Sequence, residues 1–392
     1  MVTTRAELDE LARVLREAPL VALDVESDGM FAYRPSVCTV QLAAEGAVYV
    51  VDALATQVEP LAPLLGPDGP PKGIHDVAFD ARLLAERGIL LGNVRDTAIA
   101  ARMLGRNATG LASLAKSELA VTLDKALQHH DWRKRPLGEA EVEYLARDVE
   151  HLEALVAVLW RELAAQGIEE EVLEEGRYRL ATAAEAALER AEGRGEPAYA
   201  GAKGVERLSA IERAVFRRLW IARDEQARRD DVPAARLVNT EALVALARAR
   251  PTTDAALAKA RLPREKAAAL APAFLAAVAA GLTDGGVPEA DRVYFDRPPP
   301  PRELIARRRA RETALMAWRR IEAKARGVDE QVILPGHCVK DLADLATNEV
   351  GTVQAVPGFG ACRARYGEAI VQVLARVSEG ASAGAETAGE GG

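Results

Sequence analysis

A run of four apolar residues, Leu20-Val21-Ala22-Leu23, ends abruptly in Asp24-Val25-Glu26. Such a run reads as a buried β-strand, and strand side chains alternate between faces, so Asp24 and Glu26 point the same way. Two carboxylates side by side at a strand end repel one another and lose hydration. That is costly unless a cation lies between them. The competing reading is two acids that merely finish a strand, and the pair alone does not decide.

Two further stretches bear on that choice. In Glu139 to Val156 the residues Val142, Leu145, Val149, Leu152 and Leu155 recur at helical spacing. Tyr144 and Asp148 therefore lie one turn apart on one face. The segment Ile74-His75-Asp76-Val77-Ala78-Phe79-Asp80-Ala81-Arg82-Leu83-Leu84 reads as a strand running into a helix, with Asp80 in the first turn. An acid there is either a ligand or a partner of the helix dipole.

Taken together, in this order and with these flanks, the residues resemble the DEDD superfamily of 3′→5′ exonucleases. Asp24-x-Glu26 would be its first motif, Phe79-Asp80 its second and Tyr144-x3-Asp148 its third, with the tyrosine marking one subclass. The sister subclass has a histidine where this chain has Glu143. The chain further resembles the ribonuclease D family in Leu123-Asp124-Lys125, in Asp131-Trp132-Arg133-Lys134-Arg135-Pro136-Leu137, in Arg95-Asp96-Thr97 with Ala100-Ala101, and in Gly110-Leu111-Ala112-Ser113-Leu114.

The resemblance implies a ribonuclease-H-like α/β fold with a mixed five-stranded sheet. It also implies two divalent cations, Mg2+ or Mn2+, roughly 3.5–4 Å apart. Such hard cations prefer carboxylate oxygens. Asp24, Glu26 and Asp148 would share one cation, Asp24 and Asp80 would hold the other, and Tyr144 would aim the attacking water. The expected substrate is RNA with a free 3′ end, tRNA precursors above all, and the product a nucleoside 5′-monophosphate. His75, Gln41, Trp132 and Arg133 are candidate nucleic-acid contacts. His75 is otherwise a structural histidine, Gln41 a buried amide, and Trp132 a packing residue rather than a stacking platform. Two rivals remain: a 3′→5′ exonuclease acting on DNA, and a nucleic-acid-binding protein whose nuclease site is unused.

From periodicity alone residues 5–165 are simply α/β, with strands expected at Leu20 to Val25, Val37 to Ala43, Val48 to Asp52, Gly73 to His75 and Val94 to Asp96. The expected division is an exonuclease domain (1–165), a helical linker (166–204), a helical domain (205–284), a Pro/Gly-rich linker (285–303), a second helical domain (304–377) and a disordered tail (378–392). Both helical segments resemble the helicase-and-RNase-D C-terminal (HRDC) domain. Leu208, Asp224, Val232-Pro233, Asn239 and Leu243 to Ala247 carry the first resemblance. Trp318, Leu334-Pro335, Leu342 and Val356-Pro357-Gly358-Phe359 carry the second.

The net charge of −8 is unusual for a chain that binds a polyanion. Local distribution offsets it: Arg302, Arg307, Arg308, Arg309, Arg311, Arg319, Arg320, Lys324 and Arg326 crowd one stretch, with Arg307, Arg308 and Arg309 its densest part. The other reading is a solvated helix face. The three cysteines, Cys38, Cys338 and Cys362, show neither metal spacing nor a disulfide framework. With no secretory pattern and no apolar run of membrane-spanning length, a cytoplasmic monomer without membrane contact is expected.

Overall fold

The computed structural model describes residues 1–192, 197–259, 264–296 and 300–377. The expected disordered tail and part of the Pro/Gly-rich linker lie outside them. The chain divides into two compact units. One comprises Met1–Glu26, Val37–Leu188 and Pro300 onward; the other comprises Ser27–Ser36 and Glu189–Pro299. The second helical segment thus groups with the nuclease fold rather than standing apart.

The first unit is built on a five-stranded mixed sheet: β1 (Val21–Ser27), β2 (Val37–Ala44), β3 (Ala47–Asp52), β4 (Lys72–Ile74) and β5 (Val94–Asp96), in the order β3-β2-β1-β4-β5. The β2–β3 pair is antiparallel, whereas β1–β4 and β4–β5 are parallel. Glu45 and Gly46 both have positive φ, 51° and 80°, as a tight hairpin turn with the twist of its strands requires. The crossovers contain helices, as parallel pairing demands.

Alternation along β1 sets the site. Val21, Leu23 and Val25 enter a core with Leu8, Leu11 and Leu15 of the helix Arg5–Leu15 and with Ala81 and Leu84. Leu20 and Ala22 enter the opposite core, with Ile99, Val149, Leu152, Leu155 and Leu159. Asp24 and Glu26 share this second face. The helical pattern from Glu139 onward forms two helices, Glu139–Glu150 and Leu152–Gln166, broken at His151, rather than one.

Residues 169–192 of the expected helical linker form a helix that buries three of its acids. Glu171, Glu174 and Glu175 are buried. Arg365 donates to Glu171 at 2.6 Å, the Cys362 thiol donates to Glu174 at 2.7 Å, and Arg179 donates to Glu175 at 2.9 Å. The first two bonds join the helix to the second helical segment within one unit. Buried acids persist here because each faces a donor.

The second unit is all-helical, around Phe216, Leu219, Leu243, Leu246, Phe274 and Val278. Its long helix Ala210–Asp230 starts with a Ser209/Glu212 capping box, and Thr253 caps the short helix Asp254–Leu257. The apolar stretch from Ala267 lies in one helix, Arg264–Asp284, with Pro272 inside it. Gly281 lets that helix approach Val215 closely: a Cβ added at 281 would lie 2.5 Å from the Val215 Cα. Because backbone, not a flexible side-chain end, receives the clash, Gly281→Ala should destabilise this unit by about 1–3 kcal/mol. Urea unfolding checks it, and an unchanged midpoint would contradict the close approach.

The two helical segments repeat one architecture. In the second unit the buried Arg223 donates to the Val238 carbonyl, 15 residues on, at 3.2 Å. In the other segment the buried Arg319 donates to the Leu334 carbonyl, also 15 residues on, at 2.9 Å. The 96 residues that separate Arg223 from Arg319 also separate buried Leu219 from Leu315, Ala227 from Ala323, Leu237 from Ile333 and Leu246 from Leu342.

Candidate active site

The carboxylates of Asp24, Glu26 and Asp148 come within 4.8 Å of one another, the one group of three potential metal ligands among the described residues. Two come from β1 and the third from the helix Glu139–Glu150, which packs on the same face of the sheet. Burial raises the Asp24 carboxyl to about 6. Glu26 is raised to about 8 by burial and then by the fields of Asp24 and Asp148. Asp148 reaches about 7, again through burial and then Asp24. Asp80 lies outside this close trio, yet its buried carboxyl is pushed well up by burial and then by Asp24 and Glu26. All four therefore belong to one electrostatic cluster.

Acids crowded in this way hold protons at neutral pH unless a cation replaces them. The all-oxygen donor set suits Mg2+ or Mn2+. A testable consequence follows for the metal-free protein. Its trio stays partly protonated between pH 6 and 8, where unfolded carboxyls, titrating near ~4, are already ionised. The folded state then binds more protons, so stability should fall as pH rises from about 6 to about 8. Urea melts in chelator at both pH values check this, and Asp24→Asn should flatten the difference.

Asp80 owes its place to a residue that sequence reasoning used only as a family marker. The Asp96 carboxylate caps the helix Thr97–Met103 through Ala98 N and Ile99 N, at 2.8 and 3.1 Å. It also accepts from Asp76 N and Val77 N, at 3.2 and 2.8 Å. That pins the turn leading into the helix Ala78–Ala85, whose first turn bears Asp80. An aspartate immediately before a helical pattern was the available signal. Thr97 Oγ1 donates to the Ile74 carbonyl at 3.1 Å and meets His75 Nδ1 at 2.9 Å. With the hydroxyl proton on the Ile74 carbonyl, both bonds form when Nδ1 carries the ring proton, the tautomer in which His75 Nε2 accepts.

Tyr144 lies half-buried beside the trio, its hydroxyl held protonated well above the ordinary range by burial and then by Asp148, Glu26 and Asp24. Two candidate nucleic-acid contacts require correction. Trp132 is 1% exposed and Gln41 fully buried, so neither offers a face to a base or phosphate. Gln41 sits in β2 and donates to Thr39 Oγ1 at 2.7 Å. Trp132 fills the wedge between sheet and helix with Cys38, Val50 and Leu145. Phe79, the sequence neighbour of Asp80, has an exposed ring, with Arg82 5.3 Å from its centroid. Arg133 grips its neighbour Asp131 at 2.9 Å.

The arginine stretch is not one basic patch. Arg311 and Arg319 are buried, Arg311 donating to the Leu345 carbonyl at 2.7 Å. Arg326 donates to the Tyr366 hydroxyl at 2.6 Å. Arg307, Arg308 and Arg309 are exposed, with Arg308 paired to Glu312 and Asp344 at 3.1 Å.

Residues 1–164 match the 3′-5′ exonuclease family, and residues 212–278 match the HRDC domain. Ribonuclease D of Gluconacetobacter diazotrophicus is 32% identical over 266 residues, covering 67% of this chain and 66% of that protein. The chain belongs to the ribonuclease D family. Another member, ribonuclease D of Haemophilus influenzae, is 31% identical over 254 residues, covering 64% of this chain and 63% of that protein. The aligned stretches thus span just under two thirds of these curated relatives. The crystal structure of Escherichia coli RNase D, described as an exoribonuclease involved in structured RNA processing, superposes with a TM-score of 0.70 at 24% identity. It covers 96% of this chain and 98% of that one. The shared fold therefore extends through both helical segments. Among the described residues no helix is long and apolar enough to cross a membrane.

Proposed function

We propose that the chain is a 3′→5′ exoribonuclease that removes nucleoside 5′-monophosphates from the 3′ end of RNA, with tRNA precursors or other structured RNA as substrates. The convergence of Asp24, Glu26 and Asp148, with Tyr144 at their side, carries this reading.

Asp24, Glu26 and Asp148 would hold one divalent cation, and Asp24 with Asp80 a second. Bound there, such ions supply an ionised water and offset charge on the leaving oxygen. The chain's own residues do the rest. The acids fix where the scissile phosphate lies, and burial keeps bulk water from screening them. The Tyr144 hydroxyl stays protonated, so it orients the attacking water by hydrogen bonding rather than taking its proton. His75 Nε2, an acceptor, suits a substrate hydroxyl, and the exposed Phe79 ring suits base stacking. The second helical segment is proposed as a second HRDC domain, on the repeated arginine-to-carbonyl bond and the matched core.

Matched RNA and DNA strands labelled at the 3′ end test the substrate class. Faster release from RNA is expected; equal or faster release from DNA would favour the DNA reading.

Arg307 and Arg309 are exposed and have no ion partner among the described residues, which leaves them available to contact phosphates. Replacing both by alanine should weaken binding of a tRNA-sized RNA. The slope of log affinity against log salt should become shallower by about 0.7–0.9 for each phosphate no longer neutralised. An unchanged slope would make them a solvated face.

A further inference from the structure

Between Asp124 and Gly138 the chain leaves the helices and passes over the sheet, and one residue of this loop is driven inward. Trp132 is among the largest fully buried side chains. A buried indole needs a partner for its N–H. Here its side chain acts on the Glu26 carboxylate, opposing the rise that burial imposes on that group. Its ring also packs on Tyr144, with centroids 5.8 Å apart and planes tilted by 35°. His130 closes the far side edge-on at 4.8 Å.

The loop's backbone is tied down separately. Arg135 donates from Nε and Nη2 to the two Asp52 oxygens, at 2.6 and 2.7 Å. From Nη2 it also reaches the Cys38 carbonyl, at 3.0 Å, and from Nη1 the Trp132 carbonyl, at 2.7 Å. Asp52 ends β3 and Cys38 lies in β2, so a bidentate ion pair clamps the Trp132 backbone to the sheet.

We propose that Trp132 is a positioning residue. Clamped to the sheet through Arg135 and Asp52, it sets Glu26 on β1 and Tyr144 on the helix Glu139–Glu150 in register with one another. Among the described residues Cys38 and Val50 of the sheet meet Leu145 of that helix through apolar contacts, which tolerate small shifts, whereas a clamped flat ring fixes direction as well as distance. Trp132 touches neither substrate nor reacting atoms; it acts through Glu26 and Tyr144. The inference rests on the nuclease reading above.

Trp132→Phe keeps a ring against Tyr144 and removes the N–H. With thermal melting confirming a folded chain, kcat should fall about tenfold or more, the range expected for one lost polar interaction with a charged group. KM for RNA should hold steady. Mn2+ binding to the full-length protein, measured by calorimetry without RNA, should weaken severalfold. Wild-type kcat and Mn2+ affinity in folded Trp132→Phe would overturn the proposal. So would a raised KM at constant kcat, which would return Trp132 to base stacking. If Trp132→Phe does not fold, Arg135→Gln carries the same test, since it frees the loop without touching the indole. The same loss of kcat and Mn2+ affinity is expected there, and wild-type values of both would overturn the proposal. Failure of the nuclease reading is separate: wild-type protein would then release no nucleotide at all.

Discussion

Asp24→Asn is expected to lower 3′-nucleotide release by at least about 10²–10³-fold, comparable to removing one key electrostatic group from an active site. Asp24 is the member assigned to both cations. Its charge also reaches every other acid of the cluster, since it raises Glu26, Asp148 and Asp80. Asparagine keeps the shape but neither the charge nor the second acceptor oxygen. The fold should survive, because neutralising one of several crowded like charges relieves repulsion. Single-turnover hydrolysis with melting curves measures both effects. Near-wild-type turnover would remove Asp24 from the chemistry.

Tyr144→Phe should have the second largest effect, a fall of roughly 10²-fold, the scale on which a misdirected reacting group loses rate. The two substitutions should differ in kind. Asp24→Asn should lose Mn2+ affinity, whereas Tyr144→Phe should bind Mn2+ as wild type does and fail afterwards, because it deletes a hydroxyl that is not a ligand. Calorimetry separates the cases. Turnover at the wild-type rate in Tyr144→Phe would mean that another group aims the water.

The chemistry was written locally and the supports were not. A strand has period two and a helix a four-residue turn, so the sequence alone pairs Asp24 with Glu26 and Tyr144 with Asp148. It also places Asp80 in a first helical turn. What places those three pieces against one another is non-local. Trp132 looked like a loop aromatic because the residues that bury it, Cys38, Val50 and Leu145, are distant in sequence. The break at His151 follows no glycine or proline and left no mark in the pattern. The helix Glu169–Glu192 read only as a linker because the groups that meet its buried acids, Cys362 and Arg365, lie almost 200 residues away. Arginines misled for the same reason. Arg311 and Arg319 bury their guanidinium groups on backbone carbonyls, which a count of positive charge cannot reveal.

The most direct measurement is the identity of the products from a 5′-labelled single-stranded RNA with a free 3′ end, with Mg2+ or with excess chelator. With Mg2+, a ladder of strands shortened one nucleotide at a time should form, with nucleoside 5′-monophosphates as the small product, and chelator should stop it. Turnover that persists in chelator, internal fragments without a ladder, or nucleoside 3′-monophosphates would contradict a metal-dependent exonuclease working from the 3′ end.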